Sequence, residues 1–205
     1  MPSSSKKIII EICGLPGSGK TTLAREICTD PLFSRVVMTK PSKMLYYFLL
    51  GFFRSPIVFT KGLLFTLKNT KSRSAFWGLY IYRYARYAKA RSVKSNICVL
   101  DEGPKQGLYS HALAATHKDE WLNYWHVTPS ADIDVVISID ENLRRSQIEN
   151  RRASQVNRGD ERTAEEEKRL ADANEFVLQV VQQSPQTTFV GTNTEVKKHI
   201  LHFLR

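Results

Sequence analysis

Apolar positions along the chain follow two rhythms. Five short runs, at 7–13, 35–39, 96–100, 133–139 and 187–190, are rich in branched aliphatic residues and predict β-strands. The third, Asn-Ile-Cys-Val-Leu, is apolar beyond its first residue, as a strand buried on both faces must be. Between the runs, apolar residues recur at helical spacing over 76–92, 105–126, 141–152, 164–183 and 195–204, and a further helix after residue 20 carries Leu23, Ala24 and Ile27. Asp30-Pro31 stops that helix, because the residue before a proline is pushed out of the helical region. Thr163 and Glu166 form a capping box ahead of 164–183, and Ser184-Pro185 ends it. Strands separated by helices predict an α/β fold with a parallel sheet covered on both faces. No internal repeat or low-complexity linker interrupts the pattern, and 205 residues with 42% hydrophobic content make one domain with a real core.

Residues 44–67 depart from this rhythm. The stretch 44–53 is ten consecutive apolar residues and 57–67 is nearly as apolar, but Arg54, Pro56 and Lys61 interrupt a run that would need about 20 residues to span a bilayer. Three readings stay open: a pair of core or lid helices, an amphipathic surface that makes peripheral contact with membrane or a lipid-bearing substrate, and a subunit interface. The oligomeric state is left open with them.

Charge sharpens the division. The net charge is +10, yet residues 31–100 hold 13 of the lysines and arginines, no acidic residue and no histidine, so the rest of the chain is slightly acidic. The same segment holds 14 aromatic residues. Basic charge and aromatic surface are thus concentrated in one helical module, 42–95, set in an ordinary framework of 7–40, 96–139 and 164–205. Cys13, Cys28 and Cys98 are too few and too scattered for a disulfide framework or a zinc site, and read as small buried hydrophobes in a reducing compartment. Only Ile8, Ile9 and Ile10 follow the basic start before Glu11, too short for a signal peptide, so a cytoplasmic protein is expected.

The strongest chemical signal is Gly14-Leu15-Pro16-Gly17-Ser18-Gly19-Lys20-Thr21-Thr22, which follows a strand and opens a helix as a P-loop does. Glycines let the backbone N–H groups turn inward around phosphates, and the helix N-terminus adds partial positive charge. Lys20 is expected to reach the β and γ phosphates, Thr21 to ligate Mg²⁺ and Thr22 to donate to the α phosphate, with ATP as co-substrate. Asp101 and Glu102 end the third strand, where open α/β sheets bind ligands. Asp101 is expected near the magnesium, and Glu102 to polarise an acceptor hydroxyl or order a water. The run Arg144-Arg145-Ser146-Gln147-Ile148-Glu149-Asn150-Arg151-Arg152, followed by Arg158, supplies guanidinium groups for a lid over 144–160 that stabilises a transferring phosphoryl group. Arg151, Arg152 and Arg158 lie far enough along to close the site, whereas Arg144 and Arg145 fit a solvated helix face.

These elements resemble the nucleoside monophosphate kinase superfamily, its thymidylate kinase-like branch above the others. Thr39-Lys40-Pro41 is similar to that branch's Thr-Arg-Glu-Pro element, with Lys40 for the arginine and no glutamate. Asp101-Glu102-Gly103 stands where its Asp-Arg-Tyr or Glu-Arg-Ser element does, without the arginine. The resemblance implies a three-layer P-loop NTPase fold with a helical acceptor-binding insertion and an arginine lid. It further implies that Lys40, Arg83 and Arg86 hold the acceptor, and that Asn193, in Gly191-Thr192-Asn193, packs on adenine.

The activity expected is ATP-dependent phosphorylation of a small, anionic acceptor, a nucleotide or nucleoside first, a sugar or lipid-linked metabolite as alternative. A GTPase is disfavoured because no Asn/Thr-Lys-x-Asp motif occurs: Thr39-Lys40 continues into Pro41-Ser42. A nucleic-acid-linked ATPase would use the basic aromatic segment for phosphate contacts and stacking. The short chain and the arginine lid instead suit a closed acceptor site, so nucleic acid is not an expected partner.

Overall fold

The computed structural model describes residues 7–38, 40–69, 77–113, 118–154, 163–182 and 187–204. Five strands, β1 (Ile8–Gly14), β2 (Phe33–Arg35), β3 (Ile97–Leu100), β4 (Ile133–Ile137) and β5 (Thr187–Gly191), form one sheet in the order β2-β3-β1-β4-β5. Every neighbouring pair is parallel, and β1 lies at the centre, with Ile10 opposite Val99 on one side and Ile133 on the other. The chain leaves β1 toward β2 in one direction and leaves β3 toward β4 in the other, so the carboxyl ends of β1 and β3 flank a crevice at this switch.

Helices cover both faces, as the alternation of strand and helix patterns predicts. On one side α1 (Lys20–Ile27) and α9 (Asn193–Phe203) bury Leu23, Ile27, Val196 and Ile200 against Ile10, Ile12, Val99 and Val135. On the other, α5 (Gly107–Leu113), α6 (Lys118–Val127) and α8 (Ala164–Gln182) pack Leu108, Trp121, Tyr124 and Leu170 onto Cys13 and Val136. The predicted capping box is present: the Glu166 carboxylate accepts from the Thr163 N–H at 2.8 Å, and the Thr163 hydroxyl accepts from the Glu166 N–H at 3.2 Å. A second box, Thr192 with Glu195, starts α9. Cys13 and Cys98 are buried, Cys28 is half-buried, and all three are free thiols.

The second strand sits earlier than the apolar run at 35–39 predicts. Pairing with β3 stops at Arg35 opposite Val99, with one further bond from the Val36 N–H to the Val99 carbonyl. The Val36 carbonyl accepts from the Arg86 guanidinium, which pulls the chain out of the sheet.

The basic aromatic module rests on a face of the sheet, where Tyr87 and Ala90 pack with Ile9 of β1 and Cys98 and Leu100 of β3. It contains α2 (Pro41–Arg54), α3 (Pro56–Asn69), and a π-helical turn over Trp77–Tyr82 that runs into α4 (Arg83–Ser92). Phe59, Tyr80, Tyr84 and Ala88 form its own small core, with Phe48 and Phe52 packed against it. α2 and α3 are bent by 118° at Ser55, and no single helix among the described residues is long and apolar enough to cross a membrane. α7 (Glu141–Ser154) follows β4 and carries the start of the arginine run.

Candidate active site

The P-loop turns on glycine. Gly17 and Gly19 have φ of 88° and 84°, a left-handed backbone that strains any residue with a Cβ. They are also close-packed: a Cβ on Gly17 would lie 2.8 Å from Ile148 of α7, and one on Gly19 would meet the Asn193 amide at the start of α9. The Lys20 ammonium folds back on its own loop and donates to the carbonyls of Gly14 at 2.9 Å and Leu15 at 2.8 Å.

Beneath the loop lies a buried polar layer. Gln106 clamps Gly14 with both ends of its amide, Oε1 accepting from the Gly14 N–H and Nε2 donating to the Gly14 carbonyl, each at 3.1 Å. The Gln106 backbone N–H in turn donates to the Glu11 carboxylate at 3.2 Å. Lys105, also buried, pairs with Asp134 on β4 and rests its ammonium 4.4 Å from the Trp125 ring centroid. Burial, reinforced by the Asp134 charge, pushes Glu11 up to about 7 against the opposing pull of Lys105 and the backbone N–H groups. Gly103 has no side chain because the Glu11 carboxylate occupies the space where its Cβ would stand. The pattern of the chain offers no sign of this layer except that Glu11 interrupts an apolar strand.

A cleft of about 280 Å³ opens at the carboxyl ends of β1 and β3, and its lining includes Lys20, Thr21, Arg83, Glu102, Tyr109 and Ser110. The expected phosphate end and one expected acceptor group thus share one cavity. Arg83 donates through Nη2 to the Ser110 hydroxyl at 3.2 Å, while its Nη1 is buried with no partner among the described residues. Arg83 therefore puts positive charge at the cleft wall, with Nη1 turned into the protein beside Gly107. Glu102 is half-exposed and 3.3 Å from Arg86.

Arg86 stands elsewhere, buried beneath the cleft and donating to the Val36 carbonyl at 2.7 Å and to Asp101. Asp101 is held on its other oxygen by Arg35 at 2.6 Å. Burial alone would raise the Asp101 carboxyl, but the charges and hydrogen bonds of Arg86 and Arg35 overcome it and hold it below the usual range. Lys40 is exposed at the N-cap of α2 and does not line the cleft. Thr22 is exposed on α1, and Thr39 lies outside the described residues.

On α7 the two nearer arginines part company. Arg145 is exposed, as the solvated-face reading expects, whereas Arg144 is buried and that reading is corrected. Arg144 binds Glu141 at 2.7 Å and Glu167 of α8 at 2.5 Å, and its guanidinium lies 3.4 Å from the Pro16 carbonyl of the P-loop. Hydrogen bonds from Arg144 draw the Glu141 carboxyl down to about 2. The backbone at Arg151 and Arg152 continues α7, their side chains are not described, and Arg158 lies outside the described residues. Asn193 donates toward the Gly19 carbonyl at 3.5 Å, so it meets the loop backbone at the start of α9.

Among the described residues no three His, Cys, Asp or Glu side chains cluster as a metal cage. The donor chemistry of the cleft still fits Mg²⁺, a hard cation that takes oxygen ligands and completes its shell with waters and substrate phosphates: Thr21 and Glu102 both line it.

A glycine loop at the carboxyl end of a central parallel strand, with Lys20 and Arg83 lining the cleft before it, has the architecture of a P-loop. Solved structures then specify the fold further. Deoxyadenosine kinase from M. mycoides with the products dCMP and dCDP bound is similar at TM-score 0.56 and 17% identity, over 96% of this chain and 96% of that chain. The same enzyme with bound dATP gives TM-score 0.55 at 18% identity, over 96% of this chain and 97% of that one. Thymidylate kinase from Candida albicans gives TM-score 0.54 at 16% identity, over 98% of this chain and 92% of that one. No protein-family model and no curated protein matches the sequence. The chain has the fold of the P-loop nucleoside and nucleotide kinases.

Proposed function

We propose that this protein is an ATP-dependent kinase that transfers the γ-phosphate to a small-molecule acceptor, an anionic nucleotide or a nucleoside. The observation that carries the reading is the shared cleft, where Lys20 and Thr21 of the P-loop face Arg83 and Glu102. ATP lies with its phosphates along Gly14, Pro16, Gly17, Ser18 and Gly19, and Lys20 exchanges its loop carbonyls for the β and γ phosphate oxygens. Thr22 donates to the α phosphate, and Asn193 at the start of α9 borders the nucleotide. Arg83, at the cleft wall, attracts the acceptor's anionic group. With a nucleoside, Glu102 takes the proton from the acceptor hydroxyl as that oxygen bonds to the γ phosphorus. With a nucleotide, an anionic phosphate oxygen attacks and no proton need be removed. In both cases the bridging P–O bond breaks and ADP leaves. Mg²⁺, held by Thr21 with phosphate oxygens and waters, would neutralise the developing charge. Arg151, Arg152 and Arg158 close over the transferring group. Asp101, with both oxygens held by arginines, positions the start of the loop that carries Glu102 rather than reaching the metal. The reading puts the enzyme in the cytoplasm, where ATP is dissolved.

The test is label transfer from γ-labelled ATP to a panel of nucleosides, nucleoside monophosphates, sugars and lipid-linked acceptors. Transfer to a nucleoside or its monophosphate, abolished by Lys20→Ala and, for a nucleoside, reduced in kcat by about 100-fold or more by Glu102→Gln, is expected. ATP hydrolysis stimulated by nucleic acid, without transfer to any acceptor, would overturn the reading.

A further inference from the structure

The helical module has a second surface, remote in role from the cleft, that packing leaves bare. On α2 the inward direction is marked by Gly51, where a Cβ would collide with Phe59 and Ala88. At about 100° per residue, Leu49 and Phe53 lie about 200° from it around the helix, and Leu45 and Tyr46 fall on the same outer half. All four are exposed, Phe53 at 77%. On α3 the inward positions are Phe59, Gly62 and Thr66, and the outer positions Ile57 and Leu64 are 69% and 61% exposed. A helix that is apolar on both faces needs cover on both. Here the module's own core covers one face alone.

The cations lie where they would frame an apolar surface entering a lipid interface. The two most exposed of these residues, Phe53 and Ile57, flank the bend at Ser55. Behind the bend is a cleft of about 220 Å³ lined by Gly51, Arg54, Ser55, Tyr87 and Arg91 among others. Arg54 is steadied by the Ser92 hydroxyl at 2.8 Å, and the Arg91 guanidinium lies over the Tyr87 ring at 5.6 Å. Lys61 stands between Ile57 and Leu64 on the exposed side of α3. No acidic residue occurs from 31 to 100 to offset these groups.

We propose that the outer face of the α2–α3 bend docks on an anionic phospholipid membrane, with Phe53 and Ile57 entering the headgroup boundary and Arg54 and Arg91 receiving a lipid phosphate. Aliphatic and aromatic side chains ringed by lysine and arginine bind such interfaces by apolar burial and charge together. A second copy of the chain is a poorer occupant, because its equivalent face would bring a second acid-free set of cations against the first. Nucleic acid would leave the aliphatic side chains without a partner. The proposal does not depend on the kinase reading.

The test is co-sedimentation of the full chain with phosphatidylcholine vesicles, with and without phosphatidylglycerol, at low and high salt. Binding to the phosphatidylglycerol vesicles, weakened by salt and by about tenfold or more in Phe53→Glu/Ile57→Glu, is expected. Arg54→Glu/Arg91→Glu should remove the preference for the anionic vesicles. Both pairs are surface changes, and an unchanged circular-dichroism melt confirms that each variant is folded. Absence of binding, or equal binding to both vesicle types, overturns the proposal. So does a concentration-dependent dimer, seen by analytical ultracentrifugation, that Phe53→Glu dissociates.

Discussion

Replacing Glu11 with glutamine should make the protein more stable above neutral pH and change how its stability depends on pH. Glu11 has no exposed surface, its Oε1 accepts from the Gln106 N–H, and its Oε2 has no partner among the described residues. Lys105 is already paired with Asp134, so a second carboxylate in the same buried layer leaves one negative charge in excess unless a proton is held. Burial and Asp134 raise Glu11 from 4.5 to about 7. Between those values the folded state keeps a proton that the unfolded chain has lost, so this group's contribution is most favourable at or below pH 4.5. It declines as pH rises to about 7 and is then constant. That rise corresponds to about 3 kcal/mol, most of which falls between pH 5 and 8. Glutamine keeps the Oε1 acceptor and replaces the protonated oxygen with an amide, so the variant lacks this slope. Urea unfolding of both proteins from pH 5 to 8 measures the difference. Its growth toward alkaline pH in favour of Glu11→Gln is expected, and two parallel stability curves would refute the reasoning.

Arg86→Ala leaves Asp101 buried against Arg35 alone, and should cost about 3–5 kcal/mol in chemical denaturation. Arg83→Ala should instead raise the acceptor KM more than the ATP KM with little change in melting temperature. Gly17→Ala places a side chain at φ 88° and 2.8 Å from Ile148, so steady-state assays should show weakened ATP binding. Adding Ile148→Ala should recover part of it by relieving the contact.

The P-loop was legible because its geometry is local: consecutive glycines supply the backbone freedom the turn needs, and nothing distant in the chain has to be known. The alternation that predicted a parallel α/β sheet was legible for the same reason. What escaped depends on tertiary partners. β2 begins at Phe33 because β3 lies beside it there and Arg86 draws the Val36 carbonyl away, and no propensity encodes either fact. Arg144 and Arg145 are indistinguishable in the sequence until Glu167, from a later helix, selects one of them for burial. Gln106 shows no motif because its partner is the backbone of Gly14, 92 residues away in sequence. The Thr192 capping box is different, since Thr-x-x-Glu was present in the sequence and would have set the start of α9 two residues earlier than apolar spacing did.

The 13 cations of residues 31–100 pose a single problem in the sequence, and folding divides it. Arg35 and Arg86 turn toward the framework, where Asp101, just past the end of the acid-free segment, accepts from both and Glu102 adds a second carboxylate beside Arg86. Their charge is spent on attaching the module to β3, and this is why the neighbouring positions Arg83 and Arg86 have such different surroundings. Arg83 is one helical turn earlier, and that turn carries it past the carboxylates to the wall of the cleft, with Nη1 buried beside Gly107 and without a partner among the described residues. A guanidinium desolvated in this way is costly without negative charge nearby, and Glu102, on the same cleft wall, supplies part of it. Lys43, Arg54, Lys61 and Arg91 remain exposed, outside both the framework cluster and the cleft. For these the self-repulsion is relieved by solvent and salt, or by an anionic surface. The apolar side chains between them are what make water alone an incomplete answer.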